Sequence, residues 1–135
     1  LRQMRAAGLN VPVYGPERLG DPRFFAAAGE AAEGVTAAYP FDPSQLGEAW
    51  KTFAEHYRES TGREPDSWAA YGYDATRYLI EAVRKAGLNR IRIRDALWEL
   101  PQFDGVTGPF RFDKVRTNRG QMTLVSVKDC QFVFD

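Results

Sequence analysis

Cysteine occurs once in the 135 residues, as Cys130, so the chain closes no internal disulfide and carries no CxxC pair for metal or redox work. A lone thiol fits either a reducing compartment or a cysteine-poor exported protein. Histidine also occurs once, as His56. That excludes HExxH zinc sites, histidine clusters and a Ser-His-Asp triad with a histidine to spare. Its setting, "AEHYRES", is that of a solvated helix residue. Excess charge of one sign is lacking too, since Lys+Arg and Asp+Glu total 18 each and the formal net charge is +0. No basic field gathers nucleic acid or an anionic membrane. There is no apolar run long enough to span a bilayer, and no GxGxxG or GxxxxGK[ST] phosphate cradle.

Two carboxylate pairs could in principle serve as acid and base, Glu17 with Asp21 and Asp104 with Asp113. Asp21 is better read as a helix cap, and "FDG" and "FDK" as turn chemistry at strand ends. The chain therefore reads as non-enzymatic, with no catalytic residue, metal ligand or cofactor.

What is present is a globular composition, 44% hydrophobic and 27% charged. "LRQMRAAG" reads as the last turns of an amphipathic helix, with Gly8 at a left-handed cap. "VPVYG" is a short buried strand. Asp21-Pro22 then opens a helix through "RFFAAAGEAA", and "GVTAAYPF" is a second strand, which predicts a parallel βαβ unit with a right-handed crossover. "SQLGEAWKTFAEHYRESTG" sets Leu46, Trp50, Phe53, Ala54 and Tyr57 on one stripe of a helix that Gly62 ends. "PDSWAAYGYDATRYLIEAVRKAGLN" is the longest helical pattern, opened by Asp66 or Ser67 and closed at Gly87. "AGLN" occurs at 7–10 and again at 86–89, and is read as one C-cap chemistry used twice, with the leucine after glycine making a hydrophobic contact. Asp74 of "YDA" is expected to cap or salt-bridge within the helical layer, and Trp68, Tyr73 and Leu79 are candidates for the core. A short helix in "RIRDALWEL" follows, then β segments in "TGPFRFD" and a hairpin in "TLVSVKDCQFVFD" turning near Lys128-Asp129.

The class is α/β, but there are too few strands for the helices. Such helical layers normally cover both faces of a sheet of several parallel strands, and only two strands here could be parallel. The chain is expected to be a piece of a larger protein, cut inside a helix.

Glu17 follows a strand immediately, in "VPVYGPERLGDP", where ligands of open α/β sheets bind beyond the carboxyl ends of strands. A carboxylate there can accept charge-assisted hydrogen bonds from an ammonium group. The competing reading is a loop glutamate paired with Arg18 or Arg23.

The ordered motifs "AAEGV", "YDA", "AG" and GxxGxxxFD in "GVTGPFRFD", followed by a closing hairpin, resemble the C-terminal part of type I periplasmic solute-binding proteins. Within these, the chain is most similar to the leucine/isoleucine/valine-binding family, receptors of branched-chain amino-acid ABC transporters. The resemblance implies two Rossmann-like lobes that close on a ligand. It assigns residues 1–40 to the C-terminal lobe with "YPFDP" as a hinge strand, 41–118 to the N-terminal lobe, and 119–135 to a hairpin returning to the C-terminal lobe. It implies that Glu17 binds the α-amino group of an amino acid or analogue and that Trp68 packs on the ligand side chain. Tyr71, one turn on, shares that wall, and Tyr39 borders ligand or stiffens the hinge. The remaining ligand determinants would lie in a preceding N-terminal portion of the same protein. The implied partner is a membrane permease, and the implied location is the periplasm or a cell-surface lipoprotein. A rival is a ligand-sensing domain of a regulator or receptor with the same fold.

Overall fold

The computed structural model describes every residue except Arg119, Gln121 and Asp135, and leaves out the Pro22 side chain. In chain order its helices are α1 (Arg2–Ala6), α2 (Pro22–Ala28), α3 (Glu48–Thr61), α4 (Ser67–Ala86) and α5 (Arg90–Glu99). Its strands are β1 (Tyr14–Pro16), β2 (Thr36–Tyr39), β3 (Phe103–Gly105), β4 (Gly108–Phe110), β5 (Thr123–Lys128) and β6 (Gln131–Phe134). The chain divides into two compact units, Leu1–Asp42 with Gln121–Asp135, and Pro43–Gly120. Among the described residues no helix is long and apolar enough to cross a membrane.

The first unit is a four-stranded sheet in the order β1-β2-β5-β6. β1 and β2 are parallel, joined through α2, and β5 and β6 add antiparallel at the β2 side. β1 is shorter than "VPVYG" predicts. Pro12 has no N–H to offer a ladder, although the Val13 carbonyl still accepts from Thr36 at 2.9 Å. α2 starts where Asp21 caps it, accepting from the Arg23 N–H at 2.8 Å, and gives way to a 3-10 turn at Gly29–Ala32. The final hairpin turns through Asp129 and Cys130, one residue later than expected. Both adopt positive φ, +50° and +57°, as the tight hairpin turn matching strand twist requires. Ala28, Ala32, Val35 and Val127 form one buried cluster, packed by Leu1, Val13, Leu19, Phe24, Phe25 and Phe132, and Ala37, Phe41 and Val125 are buried as well.

Gly8 caps α1 as its sequence suggests. At φ +76° it allows the Leu9 N–H to reach back to the Met4 carbonyl at 2.9 Å, and its own N–H reaches Arg5 at 3.0 Å. The second "AGLN" does not repeat this arrangement. The Gly87 N–H donates to the Val83 carbonyl at 2.8 Å and no bond from the Leu88 N–H back into α4 accompanies it among the described residues, while the Asn89 side chain caps α5 by accepting from the Ile91 and Arg92 N–H groups. Leu88 is consequently 96% exposed, and Leu9 52%, so neither leucine seals its cap as expected. An asparagine committed to the next helix cannot also close the previous one.

In the second unit α3 begins at Glu48, later than "SQLGEAW" suggests, because Gly47 is extended (φ −79°, ψ −163°) after a single 3-10 turn at Pro43–Gln45. Gly62, at φ +68°, ends it. The stripe holds Phe53 and Ala54 buried. Phe53 packs between Trp50, Tyr57 and Tyr73, the last with ring centroids 4.8 Å apart. Asp66 caps α4 through the Ala69 N–H at 2.8 Å. Tyr73 (43% exposed) and Leu79 (48%) lie at the edge of this packing and not within it.

Asp74 departs from expectation. It neither caps nor salt-bridges inside the helical layer. It is 1% exposed and accepts three hydrogen bonds from the turn between β3 and β4: Val106 N–H at 2.8 Å, Thr107 N–H at 3.0 Å and Thr107 Oγ1 at 2.7 Å. A β-carbon on Gly105 would fall against the Asp74 carboxylate. Above this staple Tyr78, Phe103, Phe110 and Phe112 pack edge to face or tilted. Tyr78 donates to the Leu97 carbonyl at 2.9 Å, and burial pushes its phenol upward in pKa.

Candidate functional site

Glu17 sits where β1 ends. Pro16 is extended (φ −77°, ψ 172°), and the chain then winds into one 3-10 turn, Glu17–Gly20. The turn is tied to the start of α2 by the Asp21 N–H bonding the Arg18 carbonyl at 3.1 Å. Its Glu17 is half-buried.

The paired-loop reading of this glutamate meets a specific obstacle. Arg23 grips Asp21 with two donors, Nε to Oδ1 at 3.0 Å and Nη2 to Oδ2 at 2.7 Å. The fork holds the Asp21 carboxyl down from 3.8 to about 2. A planar guanidinium clasped in this way is not available to Glu17. No hydrogen bond or ion pair joins Glu17 to any other described residue. A half-buried glutamate with no cation on it among the described residues is a group that an external cation could satisfy.

Tyr39 ends β2. The parallel register pairs Pro16 with Ala38, so Glu17 and Tyr39 leave the sheet at the same carboxyl edge. The Tyr39 ring stands edge-on to Phe41 (5.6 Å), Phe132 (5.5 Å) and Phe134 (5.4 Å). These contacts fix it as one face of an aromatic cluster at this end of the sheet.

Trp68 and Tyr71 belong to the second unit. Both lie on the first turns of α4, spaced to be neighbours on one helix face. Trp68 is 59% exposed. Tyr71 lines an apolar hollow of about 470 Å³ together with Ala75, Leu79, Leu97, Trp98 and Phe112, and Trp68 is not among its walls. The structure thus brings Glu17 and Tyr39 to one sheet edge and Trp68 and Tyr71 to one helix start. His56 lies on the exposed face of α3. Among the described residues no group of three or more His, Cys, Asp or Glu is placed to hold a metal ion.

Sequence reasoning missed the part played by two glycines in this region. Leu19 folds back over Gly15, and the Phe132 ring lies against Gly20, each in the space a β-carbon would need. The signal was present as the paired glycines of "YGPERLG", but the partner Phe132 is far away in sequence.

The description "periplasmic binding protein" fits residues 1–131, nearly the whole chain. The chain belongs to the periplasmic binding protein family. The fold is also that of solved family structures. The leucine binding protein LivK of Thermotoga maritima superposes with a TM-score of 0.89 at 27% identity, over 99% of this chain and 39% of that one. An ABC transporter substrate-binding protein of Desulfitobacterium hafniense in complex with Leu gives 0.84 at 28% identity, over 99% and 38%. A solute binding protein of R. palustris in complex with benzoate gives 0.78 at 24% identity, over 98% and 37%, which shows the fold alone. No curated protein matches significantly. This periplasmic binding protein chain therefore spans about two fifths of the length of the solved structures it matches, and the strand deficit read from its sequence is accounted for. Its α/β architecture is the type I fold, present in part.

Proposed function

We propose that this chain is the C-terminal part of a receptor, in the periplasm or anchored at the cell surface, that captures an amino acid or related amine-bearing small molecule for an ABC transporter. Residues 1–40 and 119–135 belong to one lobe of that receptor and 41–118 to the other, with ligand held between lobes. The observation that carries the reading is Glu17: a half-buried glutamate at the carboxyl edge of two parallel strands, with no cation on it among the described residues while Arg23 is committed to Asp21. An ammonium group placed there makes short, charge-assisted hydrogen bonds, roughly twice as strong as neutral ones. Tyr39 borders that position, and Trp68 with Tyr71 forms an aromatic wall for the apolar part of the ligand. No bond is made or broken. Ligand held by both lobes favours the closed over the open arrangement by its differential contacts, and the closed form is what a membrane permease recognises.

The leucine in the D. hafniense complex supports an amine-bearing ligand here. Benzoate, held by the R. palustris protein, has no amine, and for such an anion the Glu17 charge is repulsive. The test uses the parent polypeptide, purified with its preceding portion. Calorimetry against the proteinogenic amino acids should find a ligand, and Glu17→Gln should weaken it by about 2–5 kcal/mol, as truncating one partner of a desolvated charge pair does. Unchanged affinity removes Glu17 from the site, and no binding by any amino acid removes the reading.

A further inference from the structure

We propose that Gly15 and Gly20 are positioning residues for the ligand-binding carboxylate: the side chains of Leu19 and Phe132 clamp the 3-10 turn through the space these glycines leave, and so fix where Glu17 points. The proposal rests on the ammonium-binding reading of Glu17 given above.

Glu17 makes no side-chain hydrogen bond or ion pair with a described residue, so its aim is set by its backbone. That backbone is a single turn, Glu17–Gly20, too short to hold itself by helical hydrogen bonding. It is clamped at both ends, once by its own Leu19 and once by Phe132 from the final hairpin. On one side Leu19 lies over Gly15, with its Cδ1 in the place of a β-carbon and its Cγ 3.0 Å from it. On the other side Phe132 lies over Gly20, with Cδ2 and Cζ each 2.8 Å from the β-carbon position and Cε2 nearer still. Neither glycine is among those with positive φ. The backbone shape at these two positions is open to any residue, so what demands glycine is space and not conformation.

Neither clamping group can step aside freely. Phe132 is edge-on to Phe25 (6.1 Å) and Tyr39 (5.5 Å), and its backbone is paired with Val127, which is fully buried. Leu19 packs on the core formed by Ala28, Ala32, Val35 and Val127. A methyl group at residue 20 therefore shifts the turn before it shifts the ring, because the ring belongs to a packed sheet face and the turn borders solvent.

The experiment is a double-mutant cycle in the parent polypeptide. Each proteinogenic amino acid is first tested by thermal shift, and the one that stabilises most is titrated by calorimetry against wild type, Gly20→Ala, Glu17→Gln and the double variant. Gly20→Ala is expected to weaken that amino acid about ten-fold through lost charge-assisted contacts, and to weaken it no further once Glu17 is glutamine. A ten-fold loss in both backgrounds makes Gly20 a packing residue and overturns the proposal, as does an unchanged affinity in Gly20→Ala. A loss in Glu17→Gln without one in Gly20→Ala overturns the clamp and leaves the ammonium site standing. Failure of every amino acid to stabilise wild type overturns both. Leu19→Ala, which frees the turn without adding an atom, is expected to show the same coupling and keeps the test decisive if Gly20→Ala does not fold.

Discussion

Replacing Asp74 with asparagine should unfold its surroundings from the inside. The two side chains have the same shape, so the change removes charge and one acceptor while leaving packing intact. In the native site Oδ2 takes two donors, Thr107 N–H at 3.0 Å and Thr107 Oγ1 at 2.7 Å, and Oδ1 takes one, Val106 N–H at 2.8 Å. An asparagine keeps its oxygen where two donors converge, which turns its NH₂ toward the Val106 N–H. Two donors then face each other beside a carboxamide that solvent barely reaches, since Asp74 is 1% exposed. Losing one hydrogen bond to a charged acceptor and stranding a buried N–H costs about 2–3 kcal/mol. Alanine, which strands both N–H groups and the hydroxyl, costs about 3–5 kcal/mol. Thr107→Val removes only the hydroxyl donor and costs about 1 kcal/mol. Denaturant unfolding of the parent polypeptide gives the free energies, and amide exchange at Val106 and Thr107 reports the turn directly. Asn at position 74 within 0.5 kcal/mol of wild type, or unchanged protection at both amides, would refute the claim that this carboxylate holds the turn between β3 and β4.

Gly105→Ala places a methyl group against the same carboxylate and should cost about 1–3 kcal/mol by overpacking. Unaltered denaturant stability would show that the staple has room to give. Asp21 offers a pH test. Its folded pKa of about 2 lies below the ordinary 3.8 because Arg23 donates to it, so the stabilisation it lends α2 is present above pH 3.8 and lost as pH falls through about 2. NMR titration of its carboxyl should give that low midpoint, and a midpoint at 3.8 would mean that the Arg23 fork does not persist in solution.

Local rules carried much of the fold. Asp21 and Asp66 were legible as caps, Gly8 and Gly62 as left-handed ends, and the two strands around α2 as a parallel pair, because each depends on residues within one or two turns of chain. Glu17 was legible as a site candidate for the same reason, since it directly follows a strand. The reading failed where one residue had to choose between two neighbours. Asn89 could have closed α4 or opened α5, and it opens α5, leaving Leu88 in solvent.

The sequence by itself determined the α/β class, the caps at Gly8, Asp21, Gly62 and Asp66, and the deficit of strands. Only tertiary structure decided which donors reach Asp74 and which ring lies over Gly20, because those partners, Val106, Thr107 and Phe132, come from segments far away in the chain. Spacing along a helix or strand fixes what a residue meets nearby. A buried carboxylate or a glycine without positive φ takes its meaning from whatever packing brings against it, and that is set by the closure of the sheet and the hairpin, not by any local pattern.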